Sequence, residues 1–72
     1  MKMTYLSNDT YGDRPVYEDE NGKLWKDVDP ISDREPRLCS AVNNAFDGEP
    51  DCPYHPEIYG KPEFIPYRVL WR

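Results

Sequence analysis

Apolar side chains come in short runs broken by charge and proline, and the clearest pattern lies between Pro15 and Val28. Val16-Tyr17-Glu18-Asp19 and Lys23-Leu24-Trp25-Lys26-Asp27-Val28 flank Glu20-Asn21-Gly22, whose Asn-Gly pair suits the positive φ angles of a type I′ turn. The pattern predicts a β-hairpin near 15–28. On its second arm Leu24, Lys26 and Val28 share one face, and Lys23, Trp25 and Asp27 the other. Neither face is purely apolar, and a lone ribbon is marginal in water, so further strands must pair with it.

Two segments offer them. Near 63–71, Ile65, Tyr67, Val69 and Trp71 alternate with Phe64, Arg68 and Leu70, with Pro66 confined to an edge or a bulge. A weaker alternation places an N-terminal strand at 2–6. Between the hairpin and the C-terminal strand, Leu38, Val42, Ala45 and Phe46 stand at helical spacing, which predicts one short helix at about 36–46 ending at Asp47-Gly48. The competing pattern is an irregular loop, since Asn43-Asn44 are poor helix formers. From Glu49 to Pro66 five prolines impose a stiff, extended crossover. The expected fold is α+β: a three- to four-stranded antiparallel sheet with one helix on one face. Its expected core is Trp25, Phe46, Phe64, Tyr67, Val69 and Trp71.

Composition narrows the picture. Seventy-two residues without a repeat or a flexible linker suit a single small domain spanning 1–72. A mean hydropathy of −0.95 leans toward disorder, yet ten aromatics, 14% of the chain, carry enough apolar area for a packed core. The net charge of −5 argues against direct binding to nucleic acid or anionic membranes. No apolar run approaches the roughly 20 residues of a membrane span or the core of a signal peptide, so a cytoplasmic location is expected.

Candidate chemistry is sparse. Cys52-Pro53-Tyr54-His55 has the spacing of half a zinc site, and Cys39 lies upstream, which makes Cys39, Cys52 and His55 the candidate ligands of a small structural zinc module. Three ligands do not close a tetrahedral site, and the competing reading packs Cys39 as a small hydrophobe with Cys52 and His55 on a solvated loop. No phosphate loop, nucleophile elbow or zinc-protease motif occurs, so no catalytic residue, enzyme activity or cofactor is expected.

The remaining features suggest contact with another protein. Pro50, Pro53 and Pro56 recur every third residue, the spacing that stacks rings along one ridge of a polyproline II helix. Tyr11, Tyr54 and Tyr59 fall on expected loops, where tyrosine offers large contact area at low entropic cost. The competing reading makes the proline segment a rigid strap over the sheet. An alternative surface is acidic: Glu18-Asp19-Glu20 with Asp27, Asp29 and Asp33 would imitate a phosphate array and occupy a DNA-binding protein, although Lys23 and Lys26 interrupt it. The expected partner is another protein, with a homodimer through a sheet edge as the second assembly. The expected role is a non-enzymatic interaction module of the kind met among accessory proteins of phages and mobile elements.

Overall fold

A computed structural model describes residues 1–10, 12–29 and 36–65. The strands are β1 (Lys2–Asn8), β2 (Pro15–Asp19), β3 (Leu24–Asp27), β4 (Leu38–Ala41), β5 (Pro50–Pro53) and β6 (Glu63–Ile65), with a one-turn helix α1 (Pro56–Tyr59) between the last two. They form one six-stranded sheet in the order β5-β4-β3-β2-β1-β6. Every pairing is antiparallel except β6 on β1, which is parallel.

The hairpin forms where the alternation places it, with Val16 opposite Lys26 and Tyr17 opposite Trp25. Its turn differs from the expected two-residue type. Gly22 N–H donates to the Asp19 carbonyl at 3.1 Å and Asp19 N–H to the Lys23 carbonyl at 2.9 Å, with Gly22 at φ 84°. Asn21 is absent from the positive-φ residues, so the loop is a turn followed by a left-handed glycine, the common three-residue hairpin solution. The Asp19 carboxylate decides this by accepting the N–H groups of Asn21 and Lys23 at 2.8 and 2.9 Å.

The helix expected at 36–46 does not form. Leu38–Ala41 is β4, and Val42–Asn44 is a short 3-10 turn. Asn43 and Asn44 stand at φ 57° and 52°, left-handed values that asparagine tolerates but no α-helix contains. Asn44 gains from this geometry: its side chain accepts Leu24 N–H at 2.7 Å and donates to the Gly22 carbonyl at 3.1 Å, continuing β4's pairing with β3 where β4 itself has ended. The helical spacing was coincidental, since Val42 and Ala45 are exposed and Phe46 is half-buried.

Three more expectations change. Among the described residues the sheet has six strands rather than three or four, and it is mixed rather than wholly antiparallel. The proline crossover is not one extended ribbon or polyproline ridge, because Pro50 and Pro53 lie in β5 whereas Pro56 opens α1 at the position where a missing N–H costs nothing. Of the C-terminal strand, Glu63–Ile65 is β6, and residues 66–71 lie outside the described residues.

Cross-strand register puts Tyr5, Tyr17, Trp25 and Ser40 in one row of one face, and Phe64 beside Met3 in another. Met3, Tyr17, Trp25, Leu38 and Phe64 make the core, with Tyr54 packed against it. Trp25 and Phe64 thus fulfil their expected role; Tyr67, Val69 and Trp71 lie outside the described residues. On the opposite face Val16 and Lys26 are also buried. There the Lys26 ammonium meets the Asp9 carboxylate at 2.7 Å, with both side chains almost fully shielded from solvent. No helix among the described residues is long and apolar enough to cross a membrane.

Candidate interaction surface

After β5 the chain travels from one edge of the sheet to the other, over the face that carries Trp25. Tyr54 N–H donates to the Leu38 carbonyl at 2.8 Å, so the crossover leaves β5 still attached to β4. Pro56 starts the single turn of α1, and the N–H groups of Ile58 and Tyr59 both donate to the His55 carbonyl. Gly60, at φ 85°, ends the turn in a conformation suited to glycine. The Tyr54 hydroxyl then donates to the Gly60 carbonyl at 2.6 Å, tying the end of the turn to its beginning.

Three rings hold this turn on the sheet. Tyr54 and Tyr59 stand edge-on to Trp25 with centroids at 5.0 and 5.8 Å, and 5.3 Å from each other. Such pairs add about 0.5–1.5 kcal/mol each beyond their buried area. Trp25 is buried, and its indole N–H donates to the Asp19 carboxylate at 3.0 Å. Above the ring the Lys23 ammonium lies 4.8 Å from the centroid. Toward solvent the same turn presents Ile58, 70% exposed, and the partly exposed Tyr59. Beside it runs a groove of about 450 Å³ lined by Val28, Pro36, Leu38, Pro53, Tyr54 and Pro56, with Arg37 and Pro62 also on its wall.

The expected contact residues therefore split. Tyr54, Pro56 and Tyr59 converge on this surface, and Pro53 lines the groove. Pro50 lies at the far end of β5, and Tyr11 is outside the described residues. Ile58 was not singled out by the sequence; its one signal was an isolated aliphatic residue between Glu57 and Tyr59 in a polar, proline-rich stretch.

The zinc candidates fall on different elements. Cys39 is half-buried on β4, Cys52 is exposed on β5, and His55 precedes α1 with Nδ1 3.4 Å from the Glu57 carboxylate. Among the described residues no three of His, Cys, Asp or Glu gather in a way that could hold a metal. Burial pushes the Cys39 thiol up, and Cys52 and Asp51 push it further, the opposite of what a nucleophilic thiolate requires.

The acidic array is only partly presented to solvent. Asp19 and Asp27 are buried, and Lys26 is buried on the opposite face of the sheet. Asp19 closes the hairpin turn and binds the indole, while Asp27 accepts the N–H groups of Asp29 and Arg37 at 3.0 and 3.2 Å. Glu20 stays exposed and accepts Lys2 N–H at 2.9 Å, and Asp33 is outside the described residues. Burial alone would push the Tyr54 phenol up, and the charges of Asp19, Tyr59 and Glu20 push it further, so the hydroxyl stays a donor. No family model matches the chain, and neither does any curated protein or solved structure.

Proposed function

We propose that the chain is a non-enzymatic module that binds another protein through the outer face of its crossover, with Ile58 and Tyr59 as the central contacts. The observation that carries this reading is the position of Ile58. A 70% exposed isoleucine is unremarkable on a mobile loop, but here it stands on a turn fixed by two rings on Trp25 and by the Tyr54–Gly60 hydrogen bond. A rigid apolar side chain beside an aromatic ring and a groove loses little entropy on docking, which is what favours contact residues of this type.

Replacing Ile58 by Arg tests the reading, because the side chain contributes little to the core. We expect an unchanged melting temperature and loss of a protein that the wild-type chain retains from its native extract. Binding of that protein should then be reconstituted from purified components with the wild type and fail with Ile58→Arg. Equal retention by both chains, or no protein that binds the purified wild type, would overturn the proposal.

A further inference from the structure

The aromatic cluster already holds a cation, and that cation belongs to the chain itself. Lys23 is exposed, yet its ammonium stands 4.8 Å over the ring of buried Trp25. Attraction between an ammonium and an indole face comes from the ring quadrupole, and Trp is the ring that exerts it most strongly. Two tyrosine rings pack T-shaped against the same indole, with centroids at 5.0 and 5.8 Å, and hold it in place. Negative charge reinforces the attraction at the ring edge, where the Asp19 carboxylate accepts the indole N–H. Donation of the indole N–H to a carboxylate shifts electron density onto the ring, so Asp19 strengthens the cation-binding face as well as the turn. Glu20, exposed on the adjoining turn, adds a second carboxylate whose charge is felt at Tyr54.

Resting on the reading of the crossover as a contact face, we infer that Trp25, Tyr54 and Tyr59, flanked by Asp19 and Glu20, receive a lysine or arginine side chain of the partner protein in the place Lys23 occupies in the free chain. Charge complementarity selects this occupant over an acidic or apolar one: the rings and both carboxylates favour a cation, and the chain as a whole carries −5. Lys23 keeps the indole face covered until the partner arrives. Its hold is that of an exposed ammonium on a flexible stem, so exchange for an incoming cation weakens binding by only about threefold to fivefold.

The test is a nuclear magnetic resonance titration of the full chain with tetramethylammonium chloride, against equal concentrations of sodium chloride. Saturable shifts of the Trp25 indole and Tyr59 ring resonances are expected with tetramethylammonium alone. Lys23→Gln should tighten this binding by about threefold to fivefold, whereas Arg14→Gln, which removes the same charge elsewhere, should leave it nearly unchanged. Tyr59→Leu should abolish it. An equal gain from Lys23→Gln and Arg14→Gln would reduce the effect to overall charge and overturn the inference, as would the absence of ring shifts in both wild type and Lys23→Gln. The two readings fail separately: silent rings with partner binding lost in Ile58→Arg refute the cation site alone, whereas titrating rings with no Ile58-dependent partner refute the module alone.

Discussion

At the scale of single residues, the buried charges are the least expected feature and among the most informative. Lys26 falls in an alternating strand where its neighbours on the same face are Leu24 and Val28, and it is 1% exposed. Burying an ammonium costs several kcal/mol unless a partner compensates, and Asp9 does so while also accepting the N–H groups of Gly12 and Arg14 at 2.9 and 3.1 Å. The pair thereby fastens Asp9, and through it Gly12 and Arg14, to the sheet. Asp9→Asn would strand Lys26 without a counter-charge and should cost about 3–5 kcal/mol in urea unfolding. Asp9→Asn combined with Lys26→Met should recover part of that loss; a single variant as stable as wild type would show the pair to be incidental.

The same residues set the response to acid. Burial alone would push the Asp9 carboxyl up, but the hydrogen bond from Lys26 and those from the backbone of Arg14 and Gly12 outweigh it and hold it below its ordinary value. Asp19 is likewise held down, burial being outweighed by the Trp25 indole, the backbone N–H groups of Lys23 and Asn21 and the Lys23 charge. A carboxyl whose value is lowered by folding stabilises the fold fully above its unfolded value, near pH 4, and loses that contribution as pH falls through the folded one. Stability should therefore be flat with respect to these two groups above about pH 5 and fall on the acid side of pH 4. Asp19→Asn should flatten part of that fall in pH-dependent thermal melts.

At the scale of elements, the β5 edge shows how the sheet is ended. Tyr54 N–H and Cys52 N–H both turn toward β4, the latter donating to the Ser40 hydroxyl at 3.2 Å. Alternation then points Asp51 and Pro53 outward, where Pro53 has no N–H to offer and Asp51 carries a charge. Both are devices that discourage edge pairing, so this edge is protected against strand addition. Restoring the donor with Pro53→Val should produce concentration-dependent self-association in native mass spectra, with a monomer at every concentration contradicting the argument.

Elements also explain what the sequence could reveal. The hairpin was legible because its signals are local: two alternating arms around an Asn-Gly pair. β4 was not, because four residues are too few to display alternation, while Leu38, Val42, Ala45 and Phe46 happened to fit a helical face. The left-handed asparagines that decided against the helix act through Asn44's bonds to Leu24 and Gly22, some twenty positions away. The parallel seat of β6 on β1 joins segments about sixty residues apart, and no local pattern announces it. Tyr54, Pro56 and Tyr59 are proposed as contacts from residue type alone, yet the fixed turn that holds Ile58 toward solvent arises only from tertiary packing.

At the scale of the whole molecule, one segment connects the two edges of the sheet and carries the proposed contact residues. Five inter-strand steps separate β5 from β6, about 24 Å at ordinary strand spacing. Residues 54–62 cover that span with one helical turn and otherwise extended chain, which reaches roughly 26 Å. Little slack remains, so closing the sheet with β6 and pressing Tyr59 onto Trp25 are two consequences of the same tether. This tether carries the proposed contact face and the proposed cation site together.

The most direct measurement is therefore a nuclear Overhauser spectrum of the isolated chain, resolved for the contacts Trp25–Tyr59 and Met3–Phe64. Both should be present without any partner, at distances matching the ring centroids of 5.8 Å and the β1–β6 register. Absence of both, with coil-like shifts across 54–65, would mean that the crossover is not seated on the sheet before binding, and would contradict the account at its centre.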